Sequence, residues 1–177
     1  MSYEKISLSI EINKPPSKVF TYLKSIEKRI RLNPSYEMVK FEYLTEGDLR
    51  EGTQYKITAK TDKGLISYQS VVKELIENEK MVTETINGKM RISISLKPSP
   101  KGTVLYYTEE FELPPEVLLK EEEANQGLFQ ALLSFFFRTG GFCQDTLLKR
   151  KNTLLENLKE KAQIYLQRIK EDLENSI

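Results

Sequence analysis

The sequence predicts a single α+β domain in which a curved, seven-stranded antiparallel sheet wraps around a long C-terminal helix, in the order β-α-α-β6-α. Three observations predict this class of fold: a strictly alternating first stretch, six further runs of period two with turn signals between them, and a final helical stripe of apolar residues. A long antiparallel sheet curls, and the last helix offers the large apolar face that can fill its concave side.

The N-terminal part predicts one strand and two short helices. Apolar and polar residues alternate at the start, which is typical of a half-buried strand (Ile6, Leu8, Ile10 and Ile12). The pair Pro15-Pro16 follows, and proline is compatible with the first turn of a helix. Val19, Phe20 and Leu23 then recur at helical spacing. A second short helix is expected around residues 27–32, before Asn33-Pro34 interrupts it.

The middle of the chain predicts an antiparallel meander, because its period is two throughout and short turn signals separate the runs. Lys63-Gly64 and Asn87-Gly88 suit tight hairpins. The six predicted strands are Met38–Leu44, Thr53–Lys60, Leu65–Ile76, Lys80–Ile86, Met90–Lys97 and Thr103–Leu113.

The C-terminal part predicts a long amphipathic helix that begins near Leu147. Its apolar positions fall near one face and charged residues occupy the other (apolar: Leu147, Leu154, Leu158, Ala162, Tyr165 and Ile169). Between the last strand and this helix, residues 116–137 predict a separate helix that ends at Thr139-Gly140-Gly141. We therefore expect residues 1–177 to form one domain with a helical insertion at about 114–142.

The composition excludes several kinds of chemistry. The chain has 177 residues, one cysteine, no histidine and a formal net charge of +1. Ser-His-Asp catalysis, Cys-His catalysis, histidine metal sites and cysteine zinc sites are therefore excluded, as is an intramolecular disulfide. Any acid–base chemistry has to use Asp, Glu, Tyr, Lys or Cys. The small net charge gives no field that would attract nucleic acid. We expect no metal, no cofactor and no nucleic-acid partner.

The N-terminal segment "MSYEKISLSI" lacks a basic region followed by an apolar one, so it does not predict a secretory signal peptide. We expect a cytoplasmic protein without stable membrane insertion.

The order of elements and several local segments resemble the START-like (SRPBCC) superfamily. This group includes birch-pollen-allergen-like proteins, polyketide cyclase/dehydrase-like proteins and lipid-transport domains. "INKPPSKVFTYLKSI" resembles the family's opening, and "PKGTVLYYTEEFELP" and "LLKRKNTLLENLKEKAQIY" resemble its last strand and closing helix. "LNPSYEMVKFEYL" resembles the turn where many members have a Trp-Asn-Pro-like sequence, with Leu32 at the Trp position. The resemblance implies a helix-grip fold with an internal cavity for a hydrophobic ligand.

The last predicted strand carries an acidic residue on its apolar face. Glu109 alternates in phase with Leu105, Tyr107, Phe111 and Leu113, so it is expected to point inward. A carboxyl group in that environment has a raised pKa, which suits a general acid or a ligand anchor. The alternative is that Glu109 lies at a solvent-exposed end of the strand and pairs with a lysine.

Tyrosines are the second group of candidate ligand-binding residues. A phenol in an apolar cavity can form a hydrogen bond with a ligand carbonyl or hydroxyl. For any single tyrosine, the alternative is a core residue whose hydroxyl reaches the rim. The candidates on or near predicted inward faces are Tyr22, Tyr43, Tyr55, Tyr68 and Tyr107.

The segment "LFQALLSFFF", residues 128–137, is apolar on most sides if it is helical. A helix of this kind is normally buried on most sides. One side can cap the cavity, which would bring Leu132 and Phe136 to the ligand. The other side then needs a partner, which can be a second subunit in a homodimer through Leu128–Phe137, a membrane surface or a bulky ligand. The alternative is a plain additional core layer.

Three functions are compatible with these observations. The leading hypothesis is binding or transport of a hydrophobic small molecule, lipid-like or polycyclic, in an internal cavity between sheet and C-terminal helix. The second is a polyketide cyclase/dehydrase-like enzyme that uses Glu109 or a cavity tyrosine to move protons. The third is a protein-interaction module that uses the Phe-rich helix.

Overall fold

The computed structural model describes residues 2–61, 64–113 and 144–175. Seven antiparallel strands form one sheet in the order β1-β7-β6-β5-β4-β3-β2. Two short helices, α1 (Pro16–Lys24) and α2 (Ile26–Ile30), follow β1, and the long helix α3 (Gln144–Asn175) ends the chain. The strands are β1 (Ser2–Ile12), β2 (Glu37–Tyr43), β3 (Gln54–Thr61), β4 (Gly64–Ile76), β5 (Lys80–Thr85), β6 (Met90–Ser99) and β7 (Gly102–Leu113).

The predicted fold class is confirmed: a curved antiparallel sheet and a C-terminal helix form an α+β helix-grip. Strands β2 to β7 pair in chain order, as the meander requires, and β1 pairs with β7. The pairing shifts between Met38 and Lys40 and between Val72 and Glu74, and such irregularities increase local twist. The predicted helical insertion at 114–142 lies outside the described residues.

The alternation of β7 decides which side chains enter the interior. Leu105, Tyr107 and Phe111 are at most 1% exposed, whereas Tyr106 between them is 40% exposed. Because successive side chains of a strand point to opposite faces, the odd-numbered positions all face the helical side of the sheet. Helix α3 covers that side with the apolar stripe that its sequence predicts.

Gly102 closes the end of the β6–β7 hairpin against the end of β1. Its φ is +145°, and a Cβ atom here would lie 2.4 Å from the carbonyl oxygen of Ile12. The neighbouring Thr103 hydroxyl donates a hydrogen bond of 2.7 Å to the carbonyl oxygen of Lys14. Only glycine fits this position, because a side chain would collide with backbone that cannot move independently of β1.

A densely packed region lies where α1, β1, β7 and the C-terminal half of α3 meet, and we call it the packed end. Its buried side chains are almost all apolar (Ile12, Val19, Phe20, Leu23, Leu105, Leu166, Ile169 and Leu173). In the part of the chain that the structure describes, no helix is long and apolar enough to cross a membrane.

Candidate functional site

A cavity lies beside the packed end, between the sheet and α3. It leaves about 70 Å³ for the centres of water molecules, which is room for several waters or a small organic ligand. Its walls come from α2 and the segment just after it, from β3 to β7 and from α3. Its lining includes Arg29, Tyr36, Tyr55, Tyr68, Met90, Ile92, Tyr107, Glu109, Phe111, Leu158, Lys161, Ala162 and Tyr165.

Helix α3 presents one face to the cavity. Leu158, Lys161, Ala162 and Tyr165 line it, and their spacing of three, four and seven residues places them on one side of a helix. Ala162 is the smallest of the four side chains. A small residue at the centre of this face leaves space between helix and sheet.

Strand β7 contributes a paired phenol and carboxyl group. Tyr107 and Glu109 are two residues apart and therefore on one face, and the Tyr107 hydroxyl donates a hydrogen bond to Oε1 of Glu109. Burial raises the pKa of Glu109, although the hydrogen bond from Tyr107 acts in the opposite direction. The cavity wall thus favours the protonated form of Glu109, as expected from the sequence. The hydrogen-bond partner of its carboxyl group is a tyrosine rather than a lysine.

Three of the predicted tyrosines line the cavity: Tyr55, Tyr68 and Tyr107. The hydroxyl of Tyr68 lies 3.3 Å from that of Tyr36, so the two share a hydrogen bond. Burial raises the pKa of Tyr68 and of Tyr107 well above the ordinary tyrosine value. These phenols are therefore neutral near pH 7, and each can donate or accept a hydrogen bond.

The other two predicted tyrosines do not line the cavity. The Tyr22 hydroxyl donates a 2.6 Å hydrogen bond to Oδ2 of Asp172, which also pairs with Lys28 at 2.7 Å. Tyr43 is 50% exposed. It lies opposite Tyr55 and hence on the same face of the sheet, but β2 is the edge strand. The sequence pattern identified its face correctly and could not reveal its position at the edge.

Two predicted ligand contacts, Leu132 and Phe136, lie outside the described residues. The same holds for the proposed dimer segment Leu128–Phe137. These remain predictions.

Arg29 is the principal cavity residue that the sequence did not reveal. Its side chain is buried, with only 2% exposure. Nη1 donates a long hydrogen bond of 3.5 Å to the Tyr165 hydroxyl, and Nη2 lies 3.7 Å from the sulfur of Met81. Nε is buried and has no hydrogen-bond partner in the part of the chain that the structure describes. The available signal was helical spacing: Arg29 follows Ile26 by three residues and so shares its buried face.

Tyr36 and Tyr165 are further cavity residues that were not among the predicted ligand contacts. Tyr165 was recognised as part of the apolar stripe of α3, and its hydroxyl is what distinguishes it from a simple core residue. Burial raises the pKa of both phenols. Among the described residues, no cluster of three or more acidic or cysteine side chains is arranged to hold a metal ion.

These features together define a class of structure: the chain has the START-like, or SRPBCC, helix-grip fold. No protein-family model matches the sequence, and no curated protein matches it either.

Several solved structures share the fold. A protein of unknown function from Staphylococcus aureus, SA2116, matches with a TM-score of 0.69 and 10% identity over 99% of this chain and 96% of that one. The di-domain ARO/CYC StfQ from the steffimycin biosynthetic pathway matches with a TM-score of 0.63 and 16% identity over 95% of this chain and 49% of that one. Ara h 8.0201 matches with a TM-score of 0.58 and 14% identity over 97% and 98% of the two chains. At these identities the likeness establishes the fold alone.

Proposed function

We propose that this protein binds a hydrophobic small molecule in the cavity between the sheet and α3. The observation that carries the proposal is the cavity itself, which interrupts an interface that is closely packed elsewhere. Native protein interiors contain few voids larger than a water molecule. A cavity of this size therefore supports a role in binding a molecule.

The walls suit a ligand with an apolar body and a small number of polar groups. Met90, Ile92, Phe111, Leu158 and Ala162 supply apolar surface. The hydroxyls and the carboxyl group supply the anchors (Tyr55, Tyr68, Tyr107 and Glu109). Mostly apolar lining with a few converging polar groups is typical of small-molecule sites.

Filling the cavity tests the proposal. Isothermal titration calorimetry with 2-naphthalenemethanol, a neutral apolar probe with one hydroxyl, should give saturable binding to the wild-type protein. Ala162→Leu narrows the cavity from α3 and Ile92→Phe narrows it from the sheet, so both should weaken binding at least tenfold, which is about 1.4 kcal/mol.

Gln163→Leu is the matched control, because it adds the same side chain at an exposed position of the same helix. It should bind like the wild type. No binding by the wild type, or binding that both folded cavity variants retain in full, would contradict the proposal.

The pairing of Tyr107 with Glu109 favours a second function, that of a cyclase/dehydrase-like enzyme. A carboxyl group whose pKa is raised by burial holds its proton to a higher pH than an ordinary glutamate does, which suits a general acid. Under this hypothesis Glu109→Gln abolishes cyclisation of a poly-β-keto substrate and leaves 2-naphthalenemethanol affinity nearly unchanged. Turnover by the Glu109→Gln variant at the wild-type rate would rule out this role.

Two further expectations belong to the same proposal. A cytoplasmic location is one, and a homodimer through Leu128–Phe137 is the other. If that segment is an interface, replacing Phe136 and Phe137 by serine should turn an oligomer into a monomer in light scattering. An unchanged mass would exclude the interface.

A further inference from the structure

The described residues satisfy only a small part of the hydrogen-bonding capacity of the buried Arg29 guanidinium. A guanidinium carries five N–H donors in a planar fork. The contacts from Nη1 to the Tyr165 hydroxyl and from Nη2 to the Met81 sulfur are both long, at 3.5 Å and 3.7 Å. Among the described residues, Nε has no hydrogen-bond partner. Arg29 nonetheless lines the cavity, so a ligand can reach its side chain.

The positive charge of Arg29 also has no counter-ion among the described residues. Its side chain contacts Tyr165 and Met81, and the other groups near it are the phenols of Tyr55 and Tyr107 rather than carboxylates. Burial raises the pKa of Tyr165, so this phenol stays neutral and cannot balance the charge. The two acids that line the same cavity have other partners: Glu109 is hydrogen-bonded to Tyr107, and Glu84 pairs with Lys73 and Arg91.

An isolated charge inside a protein is unfavourable, and arginine cannot relieve the cost by losing its proton. A buried charge is normally paired with an opposite charge. In this cavity the missing partner can come from the ligand.

We infer that the ligand is an amphipathic monocarboxylic acid whose carboxylate pairs with Arg29 and whose apolar body lies between the sheet and α3. The planar guanidinium matches a carboxylate in shape and can donate two hydrogen bonds to it. The Tyr165 hydroxyl accepts a hydrogen bond from Arg29, so its own proton is free to be donated to the same carboxylate. Ile92 and Ala162 offer apolar surface to a ring or a short chain. This inference rests on the proposed function and narrows its ligand class.

A matched pair of probes tests the inference. 2-Naphthoate carries a carboxylate and 2-naphthalenemethanol a neutral hydroxyl on the same ring system. In calorimetric titrations near neutral pH, the wild-type protein should bind the acid roughly tenfold to a hundredfold more tightly, as expected for hydrogen bonds between charged groups.

Two substitutions assign that preference to Arg29. Arg29→Met should abolish the preference for the acid while keeping affinity for the alcohol, because methionine preserves length and apolar contact. Arg31→Met makes the same change two residues later, at an exposed position. This variant should keep the preference for the acid.

The outcomes separate this inference from the proposed function. Equal affinity for both probes in the wild type, or an acid preference that survives Arg29→Met, would overturn the inference and leave the binding function intact. Failure of both probes to bind would contradict the binding function itself. The wild-type comparison needs no variant and stays decisive if Arg29→Met does not fold.

Discussion

The interface between α3 and the sheet is closely packed at one end and contains a cavity at the other, although the same face of α3 forms both. At the packed end, Leu166, Ile169 and Leu173 meet Ile12 and Phe20, and no exposed fraction exceeds 5%. In the cavity, one or two turns earlier, the same face carries Leu158, Lys161, Ala162 and Tyr165.

The difference comes from the chemistry of the side chains. Aliphatic and phenylalanine side chains have no polar atoms to satisfy, so they can close every gap. Phenols, a guanidinium and a carboxyl group need partners, and the cavity provides only some of them. We therefore expect the packed end to supply stability and the cavity to supply recognition, and the following predictions test that division.

The largest effect is expected at the packed end. Phe20 is fully buried, and Phe20→Ala should lower the free energy of unfolding by about 3–5 kcal/mol, since it removes a large apolar side chain and leaves a void. Urea denaturation measures this loss. Phe41→Ala, on the edge strand β2, is the control and should cost clearly less. Equal losses at both positions would contradict the assignment of stability to the packed end.

In the cavity, removing a charged side chain should stabilise the protein instead of destabilising it. Arg29→Met should raise the free energy of unfolding of the ligand-free protein by about 1–3 kcal/mol, because it eliminates a buried charge that has no counter-ion among the described residues. Thermal and urea denaturation measure the gain. Arg31→Met should change stability by no more than about 0.5 kcal/mol, since Arg31 is exposed. A large destabilisation by Arg29→Met would show that Arg29 is a structural element of the cavity.

Glu109 should make stability depend on pH. Its folded-state pKa is raised, mainly by burial, so the folded protein favours the protonated form. The contribution of Glu109 to the free energy of unfolding is therefore fully present below the ordinary glutamate pKa. It is lost as pH rises through the raised pKa. Glu109→Gln should remove this decline in urea titrations over that range. Glu110→Gln, on the outer face of β7 and paired with Lys5, is the control and should keep the decline. An unchanged pH profile in Glu109→Gln would be evidence against a buried acid.

The smallest effect is expected at Asp172. Its pKa is lowered, first by Lys28 and then by the Tyr22 hydroxyl, so the contribution of this cluster is present above the ordinary aspartate pKa and lost as pH falls through the lowered one. Asp172→Asn should cost only about 0.5 kcal/mol at neutral pH, because the pair with Lys28 is partly exposed to solvent. Chemical denaturation of this variant beside the exposed control Glu171→Gln measures it. A loss as large as that of Phe20→Ala would contradict the account.

The packed end and the cavity also differ in how far the sequence predicts them. Local periodicity is enough to identify Ile12 and Phe20 as buried residues, because each recurs in phase with its neighbours along one strand or helix. The same alternation places Tyr107 and Glu109 inside. These residues need no knowledge of distant partners to be assigned to a face.

Arg29 and the cavity volume depend on contacts between distant segments. Arginine is mostly exposed in proteins, and α2 is a five-residue helix with a charged centre, so its sequence favours a solvated face. Arg29 is nevertheless buried against residues far away in the sequence, among them Tyr165, which lies 136 residues later in the chain. Whether helix and sheet meet fully or leave a space is decided by the fit of such distant residues, which periodicity does not describe.

Backbone amide NMR spectra during titration with 2-naphthoate test the central claim most directly, because they report on both ends of the interface at once. The account predicts saturable shifts that concentrate at cavity residues such as Arg29, Tyr107 and Ala162, and small shifts at Phe20 and Ile169. Shifts that concentrate at the packed end or on the outer face of the sheet, with the cavity residues unchanged, would contradict it.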